Sequence, residues 1–364
     1  MGDRLVLPSR MGAIQNFRSQ AGQIAAVLPI HAPRALLRAF GYLPVEVWGP
    51  PRVDPSYGSA HLQAYVCSIA RNALAFLESG GLDVASLVLV PHACDSLQGL
   101  GSLLIDFVKP KQPVFTFYMP RGRRDSDRDF LSAELRMFYE ALATLTGRAP
   151  SDQELLECID REEKADARLA ALHHRRCELP LSQLELYRLI RSREYLPAED
   201  FTQIADHTLR LAEPGLPKPG IPVILSGIVP EPMELFAALD ELGAYIAADD
   251  LACCGRRLYP PGEGDDPFQR MAGSLLGAAP DPMNGSPLAT RLDHLLNLAR
   301  SNQAKGVIFY DLKFCEPELF DLPTLRVRLQ GAGLRSLTLE VDLSGDRLPQ
   351  QTLTRLEAFV ESLS

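Results

Sequence analysis

Three of the seven cysteines stand where their thiols are available for chemistry. Cys94 directly follows an apolar run that predicts a buried strand, and Cys315 follows a second such run. Ligands of open parallel sheets bind beyond the carboxyl ends of the strands, so both positions favour a site. Cys67 lies near the start of a predicted helix, where backbone N–H groups favour a thiolate. These three residues are therefore candidate metal ligands.

The spacing of these cysteines leaves two interpretations open. Three thiolates from distant segments suit a [4Fe-4S] cluster that keeps one iron free for a non-cysteine ligand. The same pattern also fits inert thiols in the core, since free cysteines are among the most buried residues. A structural zinc site is poorly supported, because the sequence contains no C-x-x-C pair.

Two further side chains are candidate catalytic groups. His92, two residues before Cys94, is suited to donate a proton near the site, and a structural histidine is the equal alternative. Asp249, with Asp250, ends a predicted strand, where it either orients a substrate or caps the following turn.

The elements that carry these residues alternate between strand and helix. Val-, Ile- and Phe-rich runs predict strands at Leu43–Trp48, Ala85–Val90, Pro113–Tyr118, Ile221–Leu225, Ala244–Ala247, Gly306–Tyr310 and Arg335–Val341. Helices are predicted at Ala64–Glu78, Leu97–Val108, Glu231–Leu242, Leu288–Ala304, Glu318–Gln330 and Gln350–Leu363. This alternation indicates an α/β fold with parallel sheets and crossover helices.

The chain divides into three parts by pattern. We predict an N-terminal α/β domain over residues 1–124, a charged helical insert over 125–212 and a C-terminal α/β domain over 213–364. The Pro- and Gly-rich cluster Glu213–Gly220 marks the second boundary. A second such stretch, Tyr259–Pro287, predicts a long loop, which in compact domains is often functional.

Composition restricts the class of protein. A chain of 364 residues favours two domains, and 46% hydrophobic with 23% charged residues is typical of a globular protein. The net charge of -9 argues against a nucleic-acid partner. No apolar window approaches the roughly 18 residues of a membrane span, and the N-terminus lacks a signal-peptide core. We therefore expect a cytoplasmic protein whose cysteines are not disulfides.

Common catalytic motifs are missing from the sequence. There is no Walker-type G-x-x-x-x-G-K-[ST], so any use of ATP must come from a partner. No G-x-S-x-G is present either, which disfavours a serine hydrolase.

Six segments occur in an order that matches a known family. They are Pro33–Gly41, Cys67–Asn72, His92–Asp95, Ala248–Leu251, Lys313–Pro317 and Thr354–Glu361. Together they resemble the 2-hydroxyacyl-CoA dehydratases and benzoyl-CoA reductases, in particular the D-component of 2-hydroxyglutaryl-CoA dehydratase. The resemblance runs from about residue 25 to the C-terminus and is loosest in the helical insert.

The resemblance implies two flavodoxin-like domains and a [4Fe-4S] cluster between them, held by Cys67, Cys94 and Cys315. It implies an enzyme subunit, either a lyase or an oxidoreductase of anaerobic metabolism, that generates a radical on a CoA thioester. It also implies that a separate ATP-hydrolysing iron-sulfur activator supplies the low-potential electron. The expected structural partner is a homologous second subunit or a second copy of the chain. His31 falls in the segment expected to face the substrate, which makes it a candidate for proton transfer.

One departure from the family pattern bears on the cofactor. The usual Asp-Asp-Leu-Cys is replaced by Asp249-Asp250-Leu251-Ala252-Cys253-Cys254. Cys253 and Cys254 are either a buried wall of the site or extra ligands of a larger double-cubane cluster. A double-cubane reductase of small molecules therefore remains an alternative. A non-catalytic electron-transfer subunit, whose partner binds the substrate, is a second alternative.

Overall fold

Two four-stranded parallel sheets form the framework of the chain in a computed structural model, which describes residues 6–50, 52–54, 56–58, 60–215, 218–343, 345 and 347–364. The first sheet contains β1 (Gln23–Val27), β2 (Tyr42–Glu46), β3 (Leu87–His92) and β4 (Val114–Tyr118). The second contains β5 (Ile221–Gly227), β6 (Ala244–Leu251), β7 (Gly306–Leu312) and β8 (Arg335–Val341). The predicted α/β class is confirmed.

Both sheets have the same strand order. The first runs β2-β1-β3-β4 and the second β6-β5-β7-β8, which is the order of a flavodoxin-like half-sheet. The chain moves to one side of β1 to form β2 and then returns to the other side for β3. The loops after β1 and β3 therefore diverge at the carboxyl edge, and so do those after β5 and β7. Such a switch point is where open α/β sheets bind ligands.

The strand predictions were correct except for one omission. β8 has the predicted bounds, and the others begin or end within a few residues of them. β1 was missed, because its sequence Gln-Ile-Ala-Ala-Val is short and alanine disfavours strands. Its position between β2 and β3 buries it on both faces, so small residues pack well there.

Helices cover both faces of each sheet. They are α1 (Arg10–Ser19), α2 (Arg34–Ala39), α3 (Ser68–Glu78), α4 (Asp95–Leu103), α5 (Asp125–Thr146), α6 (Asp152–His174), α7 (Gln183–Ser192), α8 (Ala198–Arg210), α9 (Glu234–Glu241), α10 (Pro267–Leu276), α11 (Leu288–Ser301), α12 (Glu316–Gly331) and α13 (Gln350–Leu363). The remaining elements are a π-helical segment at Leu104–Val108 and 3₁₀ helices at Arg176–Glu178 and Gly255–Arg257. One continuous buried cluster joins the facing layers of the two sheets.

The segment Tyr259–Pro287 is not the uniform loop that was predicted. It contains α10, whose first turn is capped by the Asp266 side chain accepting from the N–H groups of Phe268 and Gln269. Phe268 and Met271 follow helical spacing and pack into a buried cluster with α5 and α6. The many Pro and Gly residues on either side conceal this short amphipathic helix in the sequence.

The three-part division of the chain stays a prediction. The helices α5–α8 do separate the two sheets in sequence, and Leu216 and Pro217 of the predicted boundary cluster lie outside the described residues. Among the residues that are described, no helix combines the length and apolarity needed to cross a bilayer.

Candidate functional site

Three helices begin at the three candidate cysteines. Cys67 is the N-cap residue of α3, Cys94 that of α4 and Cys315 that of α12. Cys94 follows β3 in the first sheet and Cys315 follows β7 in the second, so each lies at a switch point. A helix N-terminus carries a partial positive charge, and three of them stabilise an anionic group more than one does.

The three thiols lie at one apolar cluster, in which Cys315 is buried and Cys67 and Cys94 are partly buried. Burial, together with a charge on Cys67, raises the pKa of Cys94 to about 12. Burial also raises the pKa of Cys315, as do the charges of Glu318, Cys67 and Cys94. Backbone N–H groups of the first turn act in the opposite direction at each thiol, as those of Ile69 and Ala70 do at Cys67. Three thiolates this close are therefore costly unless a positive centre binds them.

The geometry argues against a single bound ion. Among the described residues no group of three or more His, Cys, Asp or Glu side chains is arranged to hold one metal ion. In a four-iron cluster each cysteine binds a different iron, so its thiols stand farther apart than the ligands of one ion. A donor set of three thiols at one apolar cluster fits such a group.

His31 and Asp281 form a buried pair beside the cysteines. His31 Nδ1 lies 3.1 Å from the Tyr259 hydroxyl, and His31 Nε2 lies 3.6 Å from Asp281 Oδ2. Neither His31 Nε2 nor Asp281 Oδ2 has a hydrogen-bond partner within the described part of the chain. Burial raises the pKa of Asp281, but His31 and Arg256 lower it more, so the carboxylate is ionised. A charge on Asp281 in turn raises the pKa of Cys94.

A cavity of about 270 Å³ opens against this pair. Its opposite wall carries Arg121 and Arg123, and the Arg123 guanidinium donates to the Ala278 carbonyl at 2.6 Å. The cavity therefore combines the His31–Asp281 pair, whose two facing atoms make no hydrogen bond within the described residues, with two arginine side chains. Asp281 was not predicted from the sequence, because it lies in the segment interpreted as a loop.

Asp249 holds the turn after β6 and the side chain of Arg176 in place. Its Oδ2 accepts from Arg176 at 2.6 Å and from the Tyr187 hydroxyl at 2.9 Å, while Oδ1 accepts from the Gly255 N–H at 2.8 Å. Burial would raise the pKa of Asp249, but His173 and Arg176 lower it. These contacts are those of a positioning residue, and the predicted catalytic role of Asp249 stays a prediction.

Asp250 belongs to a buried ionic network that was not foreseen. Arg256 donates to Asp250 through two nitrogens at 3.0 Å and to Glu318 Oε1 at 2.5 Å. It also lies 3.4 Å from Asp281. The network therefore joins the turn after β6, the first turn of α12 and the His31 pair. The six segments that carry the family resemblance include Asp250 but neither Arg256 nor Glu318, so the sequence did not predict the network.

Asp311 is a buried carboxyl group near this network. Neither of its oxygens has a hydrogen-bond partner among the described residues. Burial and then the charge of Glu318 raise its pKa well above the usual range. Asp311 lies near the end of β7, four residues before Cys315.

His92 packs against the first sheet. Its ring meets the edge of Tyr118 with centroids 4.2 Å apart, and neither ring nitrogen has a partner among the described residues. Burial lowers the pKa of His92, so the ring is neutral at pH 7. The role of His92 as a proton donor stays a prediction.

Cys253 and Cys254 lie side by side in the core. Their sulfur atoms are 3.3 Å apart, and at most 1% of either residue is exposed. Burial, Cys253 and Asp249 raise the pKa of Cys254. The pKa of Cys94 is instead raised by Cys67, and that of Cys315 by Cys67 and Cys94. The two groups of cysteines thus have different electrostatic neighbours.

Fold and site together define a two-sheet α/β protein with three cysteine-capped helices at its switch points. The sequence model of the 2-hydroxyglutaryl-CoA dehydratase D-component family matches residues 29–363, and the chain belongs to that family. This confirms the resemblance inferred from the six segments.

The relatives are enzyme subunits of two kinds. The chain is 27% identical to the (R)-phenyllactyl-CoA dehydratase beta subunit of Clostridium sporogenes, with 96% of this chain and 94% of that one covered. It is 28% identical to the beta subunit of the lactoyl-CoA dehydratase of Anaerotignum propionicum, with 96% and 95% covered. It is 27% identical to a subunit of the benzoyl-CoA reductase of Thauera aromatica, with 84% and 82% covered. The chain is therefore an enzyme subunit of the dehydratase or the reductase kind.

Proposed function

We propose that this chain holds one [4Fe-4S] cluster on Cys67, Cys94 and Cys315 and works as a subunit of a CoA-thioester dehydratase or aromatic acyl-CoA reductase. The observation that supports this most is the convergence on one apolar cluster of three thiols that lie at the N-termini of three helices. Membership of the family and the names of the relatives support the reaction class.

When bound, such a cluster supplies one-electron chemistry at low potential. The chain contributes the ligands and their surroundings. The N-termini of α3, α4 and α12 favour the ionised thiols, and Cys315 is buried while Cys67 and Cys94 are partly exposed.

The His31–Asp281 pair handles protons in this proposal. Its open polar atoms, His31 Nε2 and Asp281 Oδ2, lie at the small cavity, where a thioester carbonyl or an adjacent C–H group has access to them. The ionised Asp281 carboxylate stabilises the protonated imidazole when His31 accepts a proton. Tyr259 fixes the ring through Nδ1.

The Arg256 network positions the site. By joining Asp250, Asp281 and Glu318, Arg256 ties the His31 pair to the first turn of α12, which begins at Cys315. Both sides of the proposed site are therefore held by one buried guanidinium.

Partners are required for the reaction. The chain lacks a nucleotide-binding P-loop, so we propose that an ATP-hydrolysing iron-sulfur activator delivers the electron and that a homologous subunit completes the enzyme. Three large apolar side chains near the cysteines are exposed and suit such contacts: Tyr65, Phe314 and Phe320 are 63%, 41% and 78% exposed. Free thiols at all seven cysteines are compatible with work in the reducing cytoplasm.

A single cubane is favoured over a double one. The double-cubane alternative needs Cys253 and Cys254 beside the other three ligands, yet the main electrostatic neighbours of Cys254 are Cys253, Asp249 and Arg191.

The test is an anaerobic assay of the chain with a homologous second subunit of the family and an ATP-dependent activator. (R)-Phenyllactyl-CoA, lactoyl-CoA and benzoyl-CoA serve as substrates, because they occur in the names of the relatives. We expect ATP-dependent conversion of at least one thioester and its loss in Cys94→Ala, with Cys177→Ala as the matched control. Equal turnover by Cys94→Ala, or no conversion of any thioester, argues against the proposal.

A further inference from the structure

A second cavity of about 510 Å³ lies apart from the proposed site. It shares no lining residue with the cavity at His31 and Asp281. Its walls come from α1, from β1 and β2, and from segments around α7 and before α9. A volume of this size is within the range of pockets that bind small organic molecules.

Most of the wall is apolar. Side chains of the first sheet meet those of α1 and of the segment that follows α3; among them are Ile14, Ala26, Val45, Trp48, Phe76 and Leu82. Five of these six residues are buried, with at most 6% of each exposed, and the sixth, Phe76, is half-buried. An aryl or alkyl group that leaves water for this cavity gains roughly 25 cal/mol for each Å² of apolar surface buried.

The polar part of the wall is neutralised within itself. Arg10 pairs with Glu194 at 2.6 Å and donates to the Glu46 carbonyl at 2.5 Å. Arg191 pairs with the same Glu194 at 2.7 Å and also with Glu231. These four side chains therefore offer a ligand no surplus charge.

Arg188 is different from the other two arginines of the wall. It lines the cavity from the exposed face of α7, and among the described residues it has no hydrogen-bond or ion-pair partner. One unpaired guanidinium at the edge of an apolar cavity matches one carboxylate at the end of an apolar body. A CoA thioester carries several phosphate charges, and the described part of this wall has a single free cation for them.

We infer that this cavity binds a free aryl or medium-chain alkyl monocarboxylate, with the apolar body against Trp48 and the carboxylate on Arg188. The cavity shares no lining residue with the one at His31 and Asp281 and contains none of the three candidate ligands, so the inference does not depend on the proposed function. It assigns the chain a ligand that is not the thioester itself.

The chain contains a single tryptophan, which makes the test direct. Trp48 is buried in the cavity wall and donates to Glu46 Oε2 at 2.9 Å, so its fluorescence reports a ligand. The full-length chain is titrated with 4-phenylbutyrate and hexanoate, and with lactate and phenylbutyryl-CoA for comparison. We expect a saturable change with the first two acids, none with lactate, and weaker binding of the thioester.

Two variants locate the ligand. Arg188→Gln should weaken phenylbutyrate binding about fivefold, the effect of losing one exposed ion pair. Val84→Phe fills the cavity from a half-buried wall position and should abolish the fluorescence change. Arg128→Gln, at an exposed arginine of α5 outside the cavity, is the matched control.

Four results would overturn the inference. They are no response of Trp48 to either apolar acid, equal weakening by Arg128→Gln, binding retained in Val84→Phe, and tighter binding of the thioester than of the free acid. None of them involves iron or turnover, so failure here is distinguishable from failure of the proposed function.

Discussion

At the scale of single residues, buried carboxylates that the sequence does not distinguish have different roles. Asp249 has three donors within 2.9 Å and holds structure, whereas Asp281 keeps one oxygen open beside His31. A buried polar atom without a partner costs stability, so two of them facing one cavity indicate a role with a ligand.

Replacing His31 tests that role. His31→Gln removes the group that accepts or donates the proton but leaves the three thiols in place. We expect thioester turnover to fall by about 100-fold or more, with iron content unchanged. The measurement is the pH profile of turnover in the reconstituted enzyme together with iron per chain.

His61→Gln is the matched control. His61 lies 3.4 Å from Glu78 on the surface and should have no effect on turnover. Full activity of His31→Gln across the pH range would contradict the assigned role.

The sequence indicated part of this site and could not indicate the rest. The three cysteines and His31 stand in segments recognisable by their neighbours along the chain. Asp281, Asp311 and the partners of Arg256 matter only through contacts between distant segments, such as the pair of Arg256 and Glu318. Hydrophobic periodicity carries no information about such contacts.

At the scale of elements, the start of α3 depends on a close backbone approach. Gly49 has φ +65°, and a Cβ atom on it would lie 2.6 Å from the Cα of Ile69, two residues after Cys67. The loop after β2 therefore sets the position of the helix that Cys67 caps.

Gly49→Ala should move α3 and its cysteine without changing any ligand. We expect the iron content per chain to fall, together with a loss of at least about 1 kcal/mol in the free energy of unfolding. Iron analysis and urea unfolding of the anaerobic protein measure both.

Gly99→Ala is the control for that change. Gly99 lies in α4, which Cys94 caps, and nothing stands within 4 Å of a Cβ atom there. It should keep its iron and gain roughly 0.5–1 kcal/mol of stability. Equal iron in Gly49→Ala and in the wild-type chain would show that this contact does not position Cys67.

Element boundaries were predictable where turn signals and apolar runs coincide, as at β8 and α13. The predicted boundaries were wrong where the local composition is misleading. α10 is surrounded by Pro and Gly, and β5 continues through Ser226 and Gly227, two residues beyond its predicted end at Leu225. There a Cβ atom on Gly227 would overlap the Tyr310 carbonyl oxygen, so this glycine serves the pairing of β5 with β7.

At the scale of the whole molecule, buried ion pairs join the helices between the sheets to the first sheet and its helices. Glu162 of α6 accepts from Arg193 at 2.5 Å and from Arg34 of α2 at 3.3 Å. Burial would raise the pKa of Glu162, but Arg193 and Arg34 lower it to about 2.

The ion pairs of Glu162 predict how the free energy of unfolding depends on pH. The folded-state pKa of Glu162 lies below its unfolded value, so its contribution is fully present above about pH 4.5 and is lost as the pH falls towards 2. Glu162→Gln should cost about 3 kcal/mol at pH 7, and the difference from the wild-type chain should shrink below pH 4.5. Urea unfolding from pH 7 to pH 3 measures it.

Glu357→Gln, at an exposed position of α13, is the control and should change the free energy of unfolding little at any pH. A difference in the free energy of unfolding between Glu162→Gln and the wild-type chain that stays constant from pH 7 to pH 3 would contradict the assignment of a negative charge to Glu162.

The central claim is that three distant cysteines bind one inorganic cluster, and its most direct test is the amount of iron and acid-labile sulfide per chain after anaerobic reconstitution. We expect about four of each, a marked loss in Cys67→Ala, Cys94→Ala and Cys315→Ala, and no loss in Cys253→Ala or Cys254→Ala. A chain without iron, or one whose iron is indifferent to the first three substitutions, would contradict it.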